Sequence, residues 1–492
     1  MTTEEQNRLN KLEKIKSMGI NPYPQKFDKK QSLLESFDLA EGKKVKTAGR
    51  IIMFRDMGKL TFAHLQDESG KMQIAFKQDD LGKDKYKEMI KILDMGDFIG
   101  VEGETFVTHK GEKSILVRKW TFLGKALKPL PEKWHGLKDT EAKYRQRYLD
   151  LISNKETMDR FKFRSDFLKS VREFYWKEKF YEVETPTLMH SATGAHAKPY
   201  VTHNNGLDID VFLKISHELP LKELIVGGFE KIFEIGKAFR NEGIDPSHLP
   251  EHTHLEHYCA YWSFEDNIKF TEKMFDYIFD QLKIDRKIKV AGKDGKVKEV
   301  DFTTPWKRID YVELIKKDCG VDVLSYKNVK DLVKDLKKKK IQVEDMDKIG
   351  MATLVDNLYK KVSRPKIAGP VILYNYPVDL QPLARRSDKN PELVEQFQLL
   401  VNGWELVKAY SELVDPLDQQ ERFEEQARLA SEGDDETMGV DYDYVDAMKY
   451  GMPPISGWGM GVDRLLTILT QQENLRDVVL FPLMKSKEEK GK

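Results

Sequence analysis

Between Phe229 and Tyr258 the sequence concentrates side chains able to do chemistry. His248, His252, His254 and His257 lie within ten residues, beside Glu251 and Glu256, with Arg240, Glu242 and Tyr258 close by. Imidazoles and carboxylates at this density suit zinc, iron or manganese. Arg240, Glu242, Glu256 and Tyr258 suit an organic, charged ligand instead. Histidines scattered over a strand and a loop, with no shared task, are a third reading. Side chains alternate along an extended segment, so His252, His254, Glu256 and Tyr258 share one face and His257 points the other way. A row of ionisable groups is expensive to bury; on a central strand it is expected to line a cavity for a polar ligand.

A second concentration is Gly457-Trp458-Gly459-Met460-Gly461-Val462-Asp463-Arg464. Glycine at every second position lets two backbones, or a backbone and a ligand, approach closely. A helix is expected from about Val462 to Leu469, with Arg464 in its first turn, where a helix N-terminus and an arginine together favour an anion. Tight packing alone is the other reading. The stretch has neither G-x-G-x-x-G nor G-x-x-x-x-G-K-[ST], so a nucleotide here would be held by neither a Rossmann fold nor a P-loop.

These residues need elements to hold them. Ile232–Ile235 and Glu251–Tyr258 read as two antiparallel strands around a long loop, Ile244–Pro250. Upstream, Ser153-Asn154-Lys155-Glu156 fits a capping box. A long amphipathic helix follows, with Phe161, Phe167, Leu168, Val171, Phe174 and Tyr175 at helical spacing, and then a strand, Phe180–Pro186. The front of the chain changes to period two. Val45–Arg55, Leu60–Gln66, Met72–Phe76, Phe98–Thr108 and Ser114–Leu123 read as five short strands, with a turn at Glu68–Lys71 and a helix from about Lys83 to Leu93. Five strands with a helix between the third and fourth is the order of an OB-type barrel, another small barrel being the alternative. A helix from about residue 4 to 18, with Leu9, Leu12 and Ile15 as its apolar stripe, precedes it and stops at Asn21-Pro22-Tyr23-Pro24. The expected domains are 1–130, a linker at 131–150 ending in a basic entry helix around 143–148, and 151–492. Residues 283–370 alternate short strands with a lysine-rich helix, Lys337–Lys340.

Composition bounds the rest. The 492 residues exceed what one hydrophobic core usually organises. Lys+Arg and Asp+Glu each number 82, which excludes a chain coated in basic residues but not a local basic face. Residues 1–130 carry 25 Lys and Arg against 19 Asp and Glu, a mildly basic front. Residues 410–447 hold 13 Asp and Glu against two Lys and Arg, read as a solvated face. Cys259 and Cys319 are too few for a disulfide framework, and a reducing, intracellular setting is expected. The polar N-terminus is unlike a signal peptide, and no apolar run approaches the roughly 20 residues that span a bilayer. A cytoplasmic protein without a membrane anchor is expected.

Taken together, the residues resemble the class II aminoacyl-tRNA synthetases, and most closely the bacterial-type, lysine-specific branch. The first family motif is similar to the long helix and the strand ending Glu184-Thr185-Pro186, about 161–190. The second is similar to 229–258, with Phe239-Arg240-Asn241-Glu242-Gly243. The third is similar to 457–469. Gly49-Arg50, Leu65-Gln66-Asp67, Tyr144–Leu151, Val226–Lys231 and Tyr410–Leu413 extend the likeness over nearly the whole chain. The resemblance implies an α+β protein: an N-terminal OB-fold anticodon domain, then a catalytic antiparallel sheet flanked by helices, assembled as a homodimer through the first motif. It implies activation of L-lysine by ATP with Mg2+, then transfer to tRNA(Lys). It implies that Arg240 bridges the α-phosphate and the amino-acid carboxylate. Glu242 and His252 meet the adenine, His248 the far phosphates, and Arg464 the other side of the nucleotide, while Glu405 holds magnesium. Gly194 and Glu218 fall near the α-amino group; Glu256, Tyr258, Tyr410 and Glu412 line the side-chain pocket. Arg50, Phe62 and Gln73 match the face that stacks and reads the anticodon.

Several positions depart from the family pattern. His252 replaces a phenylalanine that stacks on adenine, so the KM for ATP is expected to depend on pH between about 5.5 and 7.5. His217 and Pro220 replace a proline and a tyrosine around Glu218. Gln398 replaces a magnesium-binding glutamate, and Lys408 a substrate-contacting asparagine. The Lys408 ammonium is expected to stand in for one magnesium or for that asparagine's hydrogen bond. Two alternatives stay open: altered amino-acid specificity, or a metal-dependent hydrolase built on His248, His252 and His254.

Overall fold

The period-two segments at the front form five strands: β1 (Lys44–Asp56), β2 (Leu60–Gln66), β3 (Lys71–Lys77), β4 (Phe98–Val107) and β5 (Lys113–Gly124). They close a barrel in the order β1-β2-β3-β5-β4, with a helix, Lys83–Ile92, between β3 and β4. The β2–β3 turn is held by the Asp67 carboxylate, which accepts from the N–H groups of Ser69 and Gly70 and from the Ser69 hydroxyl. Ile51, Leu65, Ile74, Ile99 and Ile115 fill the interior, and Tyr86, Met89 and Ile92 of the helix complete that cluster. The computed structural model describes residues 2–131, 137–191, 194, 197–292, 295–431 and 440–486. The chain divides into two units, Met1–Met158 and Asp159–Lys492.

Three local expectations change in the first unit. The N-terminal helix, Thr3–Ser17, buries Arg8 with Leu12 and Ile15, and Leu9 is only half-buried. The Arg8 guanidinium donates to the carbonyls of Met95 and Ala126 and pairs with Glu4, so its charge is satisfied where an apolar residue was expected. Residues at the end of the expected linker form two short helices, Thr140–Arg145 and Arg147–Ser153, within this unit; 132–136 lie outside the described residues. The capping box does not form: Ser153 ends the second short helix, and α1 (Lys155–Lys177) begins after Asn154, whose amide donates to Asp150.

The second unit is built on an eight-stranded sheet: β6 (Tyr181–Glu182), β7 (Lys231–Phe239), β8 (Glu251–Ala260), β9 (Lys307–Asp310), β10 (Val371–Pro377), β11 (Leu393–Val401), β12 (Trp404–Ser411) and β13 (Ile455–Gly461). Its order is β9-β10-β11-β12-β13-β8-β7-β6. The six central strands are antiparallel, and the edge strands β9 and β6 pair in parallel with their neighbours. The strand expected over Phe180–Pro186 is therefore only two residues long. Beyond it the Thr185 N–H and hydroxyl both donate to the Glu234 carboxylate rather than to a ladder.

One face of the sheet is apolar. Leu255 and Cys259 of β8, Leu399 of β11, Val407 and Ala409 of β12 and Trp458 and Met460 of β13 pack with Phe270, Met274 and Phe275 of α3 (Phe264–Leu282) and with Phe174 of α1. The other face carries polar groups and is flanked by α2 (Glu218–Val226). Residues 283–370 supply a hairpin (Lys287–Ala291 with Val297–Asp301), β9 and the helices Tyr311–Cys319, Val329–Lys338 and Met351–Val362, which share an apolar cluster with Leu373 and Leu400 of the sheet. The lysine-rich run straddles the end of the second of these helices. Among the described residues no helix is long and apolar enough to cross a membrane.

Candidate active site

Strand β8 decides the site. It pairs with β7 on one side and β13 on the other, and its alternation sends His252, His254, Glu256 and Tyr258 to the polar face. A cavity of about 330 Å³ opens there. Gly194, Glu218, Arg240, Glu242, His248, His252, Glu256, Tyr258, Glu405, Lys408, Tyr410 and Arg464 all line it, so residues scattered over 270 positions of sequence meet at one place. Glu412 lies just behind its wall, and Gln398 lines an adjoining, larger hollow that shares His248, Glu405 and Lys408.

The floor is a cage of carboxylates and phenols. Glu256 accepts from the Ser216 hydroxyl at 3.1 Å, the His217 N–H at 3.1 Å and His254 Nδ1 at 2.9 Å. Burial alone would lift its pKa, but these hydrogen bonds, that from His254 foremost, hold it at about 2. Glu218 Oε1 accepts from the Tyr410 hydroxyl and, at 2.7 Å, from Lys222 Nζ. Lys222 also forms an ion pair with Glu412 Oε2 at 2.5 Å, while neither buried Glu412 oxygen has a hydrogen-bond partner among the described residues, and Oε1 lacks even that ion-pair contact. The Lys222 ammonium sits 5.9, 5.7 and 5.7 Å from the ring centres of Tyr258, Tyr410 and Tyr444. The glycine spacing of β13 makes this cage possible. A Cβ on Gly457 would lie 2.1 Å from Glu412 Oε1 and 2.4 Å from the Tyr258 ring, and one on Gly459 would meet the His254 ring at 3.2 Å. Close packing of side chains, rather than of backbones, is what those glycines permit.

The opposite end is cationic. Arg240 Nε is a buried donor without a partner among the described residues, and Arg464 reaches across the first turn of α4 (Val462–Leu469) to the Glu405 carbonyl at 3.3 Å. Lys408 lies opposite Gln398 in the β11–β12 ladder, and its ammonium is 5.8 Å from the Tyr410 ring centre. His252 does not behave as the sequence suggested. Burial, then the charges of Arg240, His254 and Arg464, press its pKa to about 2, so the ring stays neutral throughout the working range. That runs against the pH dependence of ATP binding expected of His252 from the sequence.

The histidines do not assemble a metal centre. His248 Nδ1 is turned to Asp245 at 2.8 Å, His254 is engaged by Glu256, and the His252 and His254 rings are 6.0 Å apart. Among the described residues no group of three His, Cys, Asp or Glu is placed to hold an ion, which removes the geometric basis of the hydrolase reading. A hard cation bound through one or two carboxylates plus substrate phosphates is a different demand. Glu405, on the wall of both hollows, fits it. Gln398 fits less well: its amide oxygen is uncharged and already accepts from the Tyr376 hydroxyl at 2.8 Å.

The buried side of β8 shows what fixes the strand. Asp463 of α4 accepts from the Thr253 N–H at 2.7 Å and from Arg164 of α1 at 2.6 Å, and Arg164 also donates to the Thr253 hydroxyl. Asn267 uses its amide N–H groups on Ser456 and Gly457, so its oxygen accepts from His257 Nε2, and His257 Nδ1 accepts from the Tyr175 hydroxyl. Burial brings the His257 pKa down to about 3. Sequence reasoning missed Arg164, Asp463, Ser216 and Lys222. Of these only Lys222 left a signal, four residues beyond Glu218 on one helix face.

In the barrel, Phe62 and His64 alternate with buried residues on β2, and Gln73 lies opposite His64. Gln73 is 8% exposed and donates to the Ser114 hydroxyl at 2.8 Å. Arg50 is not brought to them. It pairs with Gln66, four residues or roughly 13 Å along β2 from Phe62, donates to the Gly96 carbonyl and stacks 4.2 Å over Phe98. Arg55 stands opposite Phe62 instead.

A family model described as tRNA synthetases class II (D, K and N) matches residues 139–485. One described as OB-fold nucleic acid binding domain matches residues 45–123. The lysine–tRNA ligase of Thermosipho africanus is 42% identical over 489 residues, 98% of this chain and 95% of that protein. Those of Carboxydothermus hydrogenoformans and Thermotoga maritima are each 43% identical, over 485 and 491 residues, covering 98% of this chain and 98% and 96% of theirs.

Proposed function

The chain belongs to the class II tRNA synthetases, and we propose on that premise that it is a lysine–tRNA ligase working in the cytoplasm. The observation that carries the choice of lysine is the unpartnered Oε1 of Glu412 at the floor of a cage of three carboxylates. A buried carboxylate oxygen without a donor is costly, and a substrate ammonium supplies that donor. A neutral side chain of the same length leaves it unmet, which is a strong basis for rejection.

The substrate lies with its side chain toward Glu412, its α-amino group toward Gly194, Glu218 and Ser216, and its carboxylate toward Arg240. The guanidinium offers a fixed fork whose Nε has no competing partner among the described residues. In the first step a lysine carboxylate oxygen attacks the α-phosphate of ATP; the new O–P bond replaces the bond to pyrophosphate, giving lysyl-adenylate. No side-chain nucleophile takes part; orientation and fixed positive charge lower the barrier. Arg240 and Arg464 flank the reacting phosphate, His248 faces its far end, and His252, neutral and half-buried, offers a flat surface to the adenine beside Glu242. Glu405 would hold magnesium, which neutralises polyphosphate charge when bound; Lys408 brings a further positive charge to the same wall. In the second step a terminal ribose hydroxyl of tRNA(Lys) takes the lysyl group and AMP leaves. Phe62, half-exposed on the barrel, offers a base-stacking surface worth about 1–3 kcal/mol per base, with Gln73 and Arg55 beside it. Exposed aromatics of the first motif, Trp176 and Tyr181, in edge-to-face contact with each other and, through Tyr181, with Phe229 at the start of the second, support pairing of two copies there.

Pyrophosphate exchange across the 20 amino acids tests the reading. Exchange that needs lysine, ATP and magnesium, without tRNA, is the expected result. Exchange driven by another amino acid in place of lysine overturns it.

A further inference from the structure

Lys222 is an ammonium already seated where a lysine substrate would place its own. It lies one turn beyond Glu218 on α2 and is fully buried. The groups that face it come from four elements: Glu218 on its own helix, Tyr258 of β8 with Glu256 two residues away, Tyr410 at the end of β12 followed by Glu412, and Tyr444 of the helix Tyr442–Met448. Counted formally, the carboxylates of Glu218, Glu256 and Glu412 set three negative charges against the one positive charge of Lys222. The remainder is two negative charges, equal to the two ammonium groups of L-lysine. The two oxygens of Glu412 differ in surroundings: Oε2 is the one in the ion pair with Lys222, and Oε1 lies beneath Gly457 with no hydrogen-bond partner among the described residues.

Resting on the lysine reading above, we propose that Lys222 is a positioning residue for amino-acid selection. Its resident ammonium orients Glu412 with one oxygen occupied and one free, and trims the cage to the charge that a diamino acid brings. A structural ion pair would need neither the open oxygen nor the aromatic cage shared with the substrate. Charge supports the same role. Burial pushes the Glu412 carboxyl up, and Lys222 is the group that opposes it. Although burial alone would strip the Lys222 proton, Glu218 and Glu412 hold its pKa above the ordinary lysine value. Lys222 is thus the group that limits the rise of the Glu412 carboxyl.

The test is lysine-dependent pyrophosphate exchange by the full-length protein and by Lys222→Met, from about pH 6.5 to 8.5. The wild-type KM for lysine should be flat over that range. At neutral pH the variant's KM should be at least about tenfold higher, with kcat within about threefold. Its KM should then fall as pH rises, because an unopposed, buried Glu412 binds a proton at low pH and releases it at high pH. An unchanged KM, or a loss in kcat with no pH dependence, overturns the proposal. If Lys222→Met does not fold, Lys222→Met/Glu412→Gln removes both charges and tolerates burial better. That double variant should lose at least about tenfold of the wild-type preference for lysine over norleucine; retention of the full preference overturns the proposal. Absence of lysine-dependent exchange in the wild type overturns the parent reading instead, and the wild-type arm alone reports it.

Discussion

A histidine against a nucleotide would ordinarily titrate near neutrality, but His252 is half-buried beside Arg240 and Arg464, and a third positive charge there is disfavoured. It should therefore act as an aromatic plate. The expected outcome for His252→Phe is a KM for ATP whose pH profile superimposes on the wild type between about pH 5.5 and 7.5; steady-state kinetics at four or five pH values decide it, and a pH-dependent ratio contradicts the neutral ring. The face carrying His252, His254, Glu256 and Tyr258 could be read from alternation alone, as could the opposite direction of His257. What could not be read was charge state, because it depends on Arg240, Arg464 and burial, all supplied by distant parts of the chain. For the same reason the sequence did not show that Lys222 pairs with Glu412.

At the scale of elements, β13 and β8 act as one device. Side chains of β8 lie across the glycines of β13, and the carboxylate that completes the cage arrives from the end of β12. Gly457→Ala places a methyl 2.1 Å from Glu412 Oε1, so either Glu412 or Tyr258 must move. The expected result is a rise in the KM for lysine of about tenfold or more, since misplacement by an ångström can cost that much, with the KM for ATP little changed; exchange kinetics with each substrate varied in turn separate the two. Barrel strands and the helix between β3 and β4 were legible because a clean period of two and its interruption need no distant partner. The start of α1 and the short β6 were not. Asp150 competes for Asn154 and Glu234 for Thr185, and neither partner is local to the pattern it breaks.

Over the whole molecule, the zero net charge hides a basic front of the chain and an active site divided by charge, with three carboxylates around Lys222 at one end of a cavity and Arg240, Lys408 and Arg464 at the other. Totals cannot show that sorting; only the sheet order, which brings residues 194 to 464 together, does. The neutral histidines of β8 carry one more consequence. His252 and His257 have pKa values of about 2 and 3, and burial lowers that of His254, whereas in an unfolded chain each would sit near 6.5. Unfolding therefore takes up protons at any pH between the two sets of values, and stability rises with pH through that window. His252 and His257 each forfeit roughly 1.4 kcal/mol of stability per pH unit below about 6.5. Urea unfolding of the second unit's signal at pH 7.5 and 5.5 should show a lower midpoint in the more acidic buffer, and equal midpoints would contradict it. The strand that lines the cavity is thus also an acid fuse: as the surroundings acidify, the unfolded chain captures protons that the folded strand refuses.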